Sequence, residues 1–177
     1  MMTLIRITEH NLDEAVRIQA ELFPGESAKT NYVESLSAGS GYEYYLIEKD
    51  GVRVGVIGLY RYPEDPESAW LGWFGIRKGF RRQGLGTEAL RLFEEAAAER
   101  GCRFARLYTD AENNDAAIAF YKANGYLCEA YRCAEDPAAA EHKTLIFSKS
   151  LAGAPLVLWN NRSIHLTEQI AKQENGP

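Results

Sequence analysis

Residues 3–8, Thr-Leu-Ile-Arg-Ile-Thr, carry the two-residue alternation that predicts a first strand. The period then lengthens. Leu12, Ala15, Ile18 and Leu22 recur at helical spacing behind Asn11, a residue suited to capping, and Pro24-Gly25 ends the pattern. A weaker helix is expected over residues 27–36, closed by Ala38-Gly39-Ser40-Gly41. Residues 42–48 and 52–62 are rich in β-branched and aromatic side chains and flank Lys49-Asp50-Gly51, so they read as an antiparallel hairpin on an Asp-Gly turn. A turn over residues 63–67 leads into a strand over residues 68–77 that carries Trp70, Trp73 and Phe74.

After this meander the pattern becomes helical again. Residues 87–100 place Ala89, Leu90, Phe93, Ala96 and Ala97 on one face, with Gly101 as the stop. Residues 104–110 return to strand, Asn113 and Asn114 offer caps, and a helix over residues 116–123 runs to Gly125. Two more strands, 126–131 and 143–151, are separated by an Ala-rich acidic loop over residues 134–141. This order predicts an α+β domain over residues 1–151, with a mixed sheet and helices on both faces. Residues 152–177 form a C-terminal extension, in which Leu156-Val157-Leu158-Trp159 suggests an extra strand, residues 167–172 a short helix, and the last residues a loose end.

Composition narrows the function. A chain of 177 residues that is 46% apolar and 25% charged is long enough for one sizeable core. Its first ten residues lack a secretory apolar run, and no segment approaches the roughly 20 apolar residues of a membrane span, so a soluble cytoplasmic protein is expected. Cys102, Cys128 and Cys133 lack disulfide-framework or zinc spacing, and no metal is expected. Asn161-Arg162-Ser163 matches a glycosylation acceptor with nothing to route it there. A net charge of −5 argues against nucleic acid as partner.

Against that acidic background Arg77, Lys78, Arg81 and Arg82 cluster where a predicted strand meets a predicted helix, together with Gly79, Gly84 and Gly86. Glycines admit close backbone approach, the first helical amides lack partners, and the helix dipole favours negative charge, so the junction suits a pyrophosphate. Three ligands compete. A phosphate-binding P-loop would need Lys-Ser/Thr where Leu85-Gly86 stands. The run from Gly84 to Ala89 meets the dinucleotide pattern, but behind several antiparallel strands and a basic loop. Coenzyme A is the third.

The run Arg81-Arg82-Gln83-Gly84-Leu85-Gly86 resembles the (Arg/Gln)-x-x-Gly-x-(Gly/Ala) signature of GNAT acetyltransferases, and residues 114–126 resemble that family's later segment with Asn, Ala, Tyr and Gly-aromatic. The resemblance spans about residues 3–151 and implies a GNAT-like mixed, mostly antiparallel central sheet flanked by helices on both faces. It implies that Arg81, Arg82, Gln83, Gly84, Leu85, Gly86 and Thr87 bind the CoA pyrophosphate, and that Phe74, Gly75 and Ile76 pair with pantetheine, the Ile76 amide facing the thioester carbonyl. Asn114 and Ala117 flank the pantetheine arm, and Tyr121 is the catalytic acid; packing beside Phe120 is its alternative role. The implied activity is direct acetyl transfer from acetyl-CoA to an amine of a small molecule or peptide, by a monomer or homodimer without metal or membrane partner. A non-catalytic acyl-CoA sensor and a nicotinamide dehydrogenase are the rivals. Trp70 stands where some relatives carry a glutamate base, which leaves Glu43, Glu64, Glu67 and Asp110 as candidates. Tyr60, Tyr62, Trp70, Trp73 and Phe74 are candidates for an acceptor pocket or for sheet core.

Overall fold

The computed structural model describes residues 1–174 and divides into two compact units, Met1–Cys102 and Arg103 onward. In the first unit, β1 (Met2–Arg6), β2 (Tyr42–Lys49), β3 (Val52–Tyr62) and β4 (Asp65–Ile76) pair in chain order, each antiparallel to the next. Asp50 and Gly51 both have positive φ (49° and 83°), the left-handed turn that Asp-Gly was expected to supply, and Lys49 pairs with Val52.

Strand alternation divides the side chains of this sheet between two helical layers. Tyr44, Leu46 and Val56 join Ile7 in a core under Ala15 and Ile18 of α1 (Leu12–Leu22) and Tyr32 of α2 (Ala28–Leu36). Leu4, Tyr45, Ile57 and Leu59 meet Phe93 and Ala96 of α3 (Leu85–Glu99) on the other face. Helices on both faces are therefore a direct result of the period-two pattern. Gly101, at φ 79°, ends α3 as expected, with Gly101 N–H bonded to the Ala98 carbonyl and Cys102 N–H to that of Ala97.

The second unit holds β5 (Phe104–Asp110), α4 (Asp115–Ala123), β6 (Leu127–Ala130), α5 (Ala138–Glu141), β7 (Thr144–Ser150) and α6 (Leu166–Glu174). β7 lies between β5 and β6 and is antiparallel to both. The α+β class and the mostly antiparallel strand pairing agree with the reading of the sequence.

Several local expectations need correction. The turn before β4 is shorter than residues 63–67, because Asp65 already pairs with Tyr62. Asn11 and Asn114 occupy helix-cap positions without side-chain caps. Asn11 instead accepts from Thr8 N–H (2.8 Å) and donates to the Arg6 carbonyl (3.0 Å), tying the turn rather than the helix. One helical turn, α5, forms inside the expected acidic loop.

Residues 156–159 are not a strand, because side chains satisfy their backbone. The Glu129 carboxylate accepts from the amides of Trp159 (2.7 Å) and Asn160 (2.9 Å), and Arg106 donates to the Val157 carbonyl (2.8 Å). The short helix expected at residues 167–172 is present as α6, its first amides accepted by Asp136. Residues 152–174 thus fold onto strands of their own unit, and the expected loose end lies beyond the described residues.

Candidate active site

The end of β4 is irregular in its pairing with β3. Val56 pairs with Gly75 and Gly58 with Gly72, so β4 advances three residues where β3 advances two, and the surplus residue makes a bulge. Trp73, at φ 38°, carries the left-handed backbone this requires. Strain in a bulky residue persists only where surroundings hold it. Phe23, at the end of α1, supplies part of that hold, its ring edge-on to Trp73 with centroids 5.4 Å apart. Gly75 fits because α1 is pressed against it: a Cβ there would stand 3.1 Å from Leu22 Cδ1 and 3.2 Å from Phe23 Cζ.

Beyond the bulge the directions of the backbone groups follow from one hydrogen bond. Arg77 N–H donates to the Val54 carbonyl on β3 (2.8 Å). Consecutive amides of an extended strand point to opposite edges, so the Ile76 N–H and carbonyl point away from β3.

A 3-10 turn over Lys78–Phe80 then leads to an exposed loop in which Arg82 (φ 61°) and Gly84 (φ 77°) both adopt left-handed backbone, and α3 begins at Leu85. Helix α3 starts two residues earlier than the pattern of apolar residues indicated, which puts Gly86 in its first turn. The first amide to find an intrahelical partner is Glu88 N–H, bonded to the Gly84 carbonyl (3.1 Å). Among the described residues no acceptor stands against the N–H of Arg82, Gln83, Gly84, Leu85, Gly86 or Thr87. Helix geometry explains the last three. The alternation of left-handed residues extends the run outward into a concave nest suited to an anion. A Cβ on Gly84 would meet no protein atom within 4 Å, so the protein leaves open the space above this backbone.

The basic cluster divides into two pairs. Arg77 donates to Glu21 (2.9 Å) and to the Arg53 carbonyl (3.1 Å), and Arg81 Nε donates to the Ile76 carbonyl (2.7 Å). Lys78 and Arg82 form no ion pair among the described residues. Sequence alone could not separate these pairs, because Glu21 is 56 residues from Arg77.

In the second unit, Asn114 stands at the start of α4 with Nδ2 directed to the Asp110 carbonyl (3.1 Å) and Thr109 Oγ1 (3.3 Å), which ties the helix to the end of β5. Ala117 is half-buried on the same helix. Tyr121 is 9% exposed, its ring packed against Phe120, Tyr126 and Phe147 at centroid separations of 5.2, 6.0 and 5.5 Å. Packing is thus one role of this side chain. Its hydroxyl is a separate matter, since it has no hydrogen-bond partner among the described residues. Burial pushes the phenol above its ordinary range, so it keeps its proton at neutral pH.

The carboxylates considered as bases are placed as follows. Glu43 is held by Arg6 (2.9 Å), Arg100 (2.6 Å) and the Tyr45 hydroxyl. Burial pushes its carboxyl up, but the hydrogen bonds from Arg100 and Tyr45 outweigh this and leave it below its ordinary value. A carboxylate so stabilised is a poor proton acceptor. Asp110 accepts from Glu112 N–H (2.8 Å), and Glu64 and Glu67 are exposed. Of the aromatic residues, Tyr60, Tyr62 and Trp70 are buried in a ring cluster and belong to the core, whereas Trp73 and Phe74 are half-buried. Among the described residues no group of three or more His, Cys, Asp or Glu could hold a metal ion, and no helix is long and apolar enough to cross a membrane.

Comparisons with known proteins show the family and the fold. A family model described as "Acetyltransferase (GNAT) family" matches residues 12–126. The uncharacterized N-acetyltransferase YdgE of Bacillus subtilis (strain 168) is 29% identical over 128 residues, covering 71% of this chain and 81% of its own length. The fold is similar to that of a GNAT-family protein from Desulfovibrio desulfuricans (TM-score 0.72, 19% identity, 86% of this chain and 100% of that one). It is also similar to PaiA N-acetyltransferase from Thermoplasma acidophilum in complex with coenzyme A (TM-score 0.65, 15% identity, 85% of this chain and 99% of that one).

Proposed function

Since the chain belongs to the acetyltransferase (GNAT) family, we propose that it transfers acetyl from acetyl-CoA directly to a primary amine of a small molecule or peptide. The observation that supports the cofactor assignment is the run of amides from Arg82 to Thr87 that have no acceptor among the described residues. A pyrophosphate provides the several acceptor oxygens that such a nest lacks, and Lys78 and Arg82 add charge. The edge of β4 over Phe74–Ile76 receives the pantetheine as an added strand. The Ile76 amide then faces the thioester oxygen and stabilises the negative charge that develops there.

Asn114 and Ala117 flank the pantetheine, and Tyr121 is the general acid. In the reaction the amine nitrogen forms a bond to the acetyl carbon and the carbon–sulfur bond breaks. The Tyr121 hydroxyl supplies the proton to the departing sulfur, while the proton released by the amine passes to solvent, from which Tyr121 is recharged. A buried phenol that keeps its proton at neutral pH and has no hydrogen-bond partner among the described residues suits this role. The three cysteines are free thiols, which fits a cytoplasmic setting.

The test is calorimetric titration of acetyl-CoA and of NADH into the full chain, followed by a screen of amines for release of free CoA. Binding of acetyl-CoA with amine-stimulated release is the expected result. Binding without release for any amine favours a non-catalytic acyl-CoA sensor, and binding of NADH in place of acetyl-CoA overturns the assignment.

A further inference from the structure

The hydrogen bond from Arg81 Nε to the Ile76 carbonyl (2.7 Å) joins the phosphate-binding loop to the strand end that faces the thioester. It completes a clamp on one peptide unit. The Ile76 carbonyl and the Arg77 N–H belong to the same rigid plane, and Arg77 N–H is held by the Val54 carbonyl (2.8 Å) at the opposite edge. With both ends bonded, the plane cannot rotate about the axis of β4. The Arg77 side chain further fixes this point, since it reaches Glu21 and the Arg53 carbonyl.

On these grounds we propose that Arg81 is a positioning residue for acyl transfer: it orients the end of β4 for the reacting thioester instead of gripping a phosphate. The proposal rests on the acetyltransferase reading of the same site. Two physical effects follow from the contact. The Ile76 carbonyl lies on the same side of the strand as the Ile76 amide. Left uncapped, its lone pairs would repel the negative charge developing beside that amide, and the guanidinium N–H reverses that local field. The contact also makes the geometry of the amide depend on the loop that holds the anion, so that loop order and catalytic geometry arise together. Gln83, whose Nε2 lies 3.3 Å from the Gly79 carbonyl, braces the intervening turn in the same manner.

The two roles make opposite predictions for Arg81→Gln. The donor nitrogen of glutamine sits the same number of bonds from Cα as Nε of arginine, so this variant keeps the donor and removes the charge. Arg81→Ala removes both. The experiment measures calorimetric affinity for acetyl-CoA, and kcat and KM with an amine found active on the wild type, for the full chain and both variants; circular dichroism checks that each variant is folded. The expected result is a kcat lowered about 10- to 100-fold in Arg81→Ala, with acetyl-CoA affinity changed less than about threefold, and recovery of most of kcat in Arg81→Gln. If both variants instead lose affinity to the same degree at unchanged kcat, the residue binds phosphate by charge and the proposal is overturned. Equal loss of kcat in both variants also overturns it, because the retained donor then does nothing. Failure of the wild type to bind acetyl-CoA is a different outcome, which removes the acetyltransferase reading itself.

Discussion

Replacing Gly84 separates the backbone strain of the loop from its contact with ligand. Gly84 sits at φ 77° and ψ −4°, and a Cβ built there meets no protein atom within 4 Å, so any substitution acts through the dihedral and through whatever occupies the open space. For alanine the left-handed region costs about 1–2 kcal/mol, offset in part by about 0.4–1 kcal/mol from the stiffer unfolded chain. Gly84→Ala should therefore lose about 1 kcal/mol in urea denaturation. Asparagine visits this region more readily, so Gly84→Asn should lose less. Both variants place a Cβ in the same position over the partnerless amides. If that space is the pyrophosphate cradle, each loses at least one hydrogen bond to a charged group, about 1.5–3 kcal/mol, which is a 10- to 100-fold loss of acetyl-CoA affinity by calorimetry. Affinity should thus fall alike in both variants although their stabilities differ. Wild-type affinity in Gly84→Asn would refute the reasoning, since the cradle would then tolerate a side chain where the ligand is placed.

Further outcomes are expected elsewhere. Tyr121→Phe keeps the ring contacts and removes a hydroxyl that has no hydrogen-bond partner among the described residues, so stability should change by less than about 0.5 kcal/mol while kcat falls by about 10²-fold or more; an unaltered kcat would return Tyr121 to a packing role. Because burial raises this phenol above its ordinary value of 10.0, its ionisation should produce no descending limb in the pH–rate profile below pH 10. Burial pushes the Asp136 carboxyl up, but hydrogen bonds from Thr167, Tyr131 and the first amides of α6 outweigh it and hold it below its ordinary value of 3.8. Its contribution to stability is therefore complete above that pH and lost as pH falls through the depressed value. Asp136→Asn should cost about 2–3 kcal/mol at pH 7 and flatten the acid limb of a denaturation series. Trp159 is 1% exposed, with the guanidinium of Arg162 3.8 Å and that of Arg106 5.4 Å from its ring centroid. Trp159→Ala should lose about 3–5 kcal/mol in urea denaturation, and a loss under about 1 kcal/mol would mean that the C-terminal segment contributes little to the second unit.

The helices legible in the sequence, α1 and α3, each bury one face, so their apolar residues recur at helical spacing. β2 and β3 are covered on both faces and were legible instead from their β-branched and aromatic runs on either side of the Asp-Gly turn. The loop proposed to hold an anion stands out for a related reason: glycines and cations at a strand-to-helix boundary are a local requirement of phosphate chemistry. What misled was the backbone of the C-terminal segment. Leu156-Val157-Leu158-Trp159 has the composition of a strand, yet the Glu129 carboxylate and the Arg106 guanidinium satisfy its polar groups instead of a neighbouring strand. No local pattern signals a partner that lies about 30 residues or more away. The cap positions failed similarly, because Asn11 and Asn114 found nearer carbonyls to bond.

By itself the sequence determined the α+β class, the order of elements, and the glycine-rich basic loop from strand to helix that is proposed for coenzyme A, since these depend on periodicity and on residue types within one or two turns of each other. Only the tertiary structure decided how the four basic residues divide, with Arg77 and Arg81 bonded to protein acceptors and Lys78 and Arg82 in no ion pair among the described residues. It alone revealed the bulge that strains Trp73, the pressure of Leu22 and Phe23 against Gly75, and the packing of the Tyr121 ring among Phe120, Tyr126 and Phe147. Each of these depends on which groups meet across the fold, and the free energy of a hydrogen bond or a close contact is set by the partner as much as by the residue.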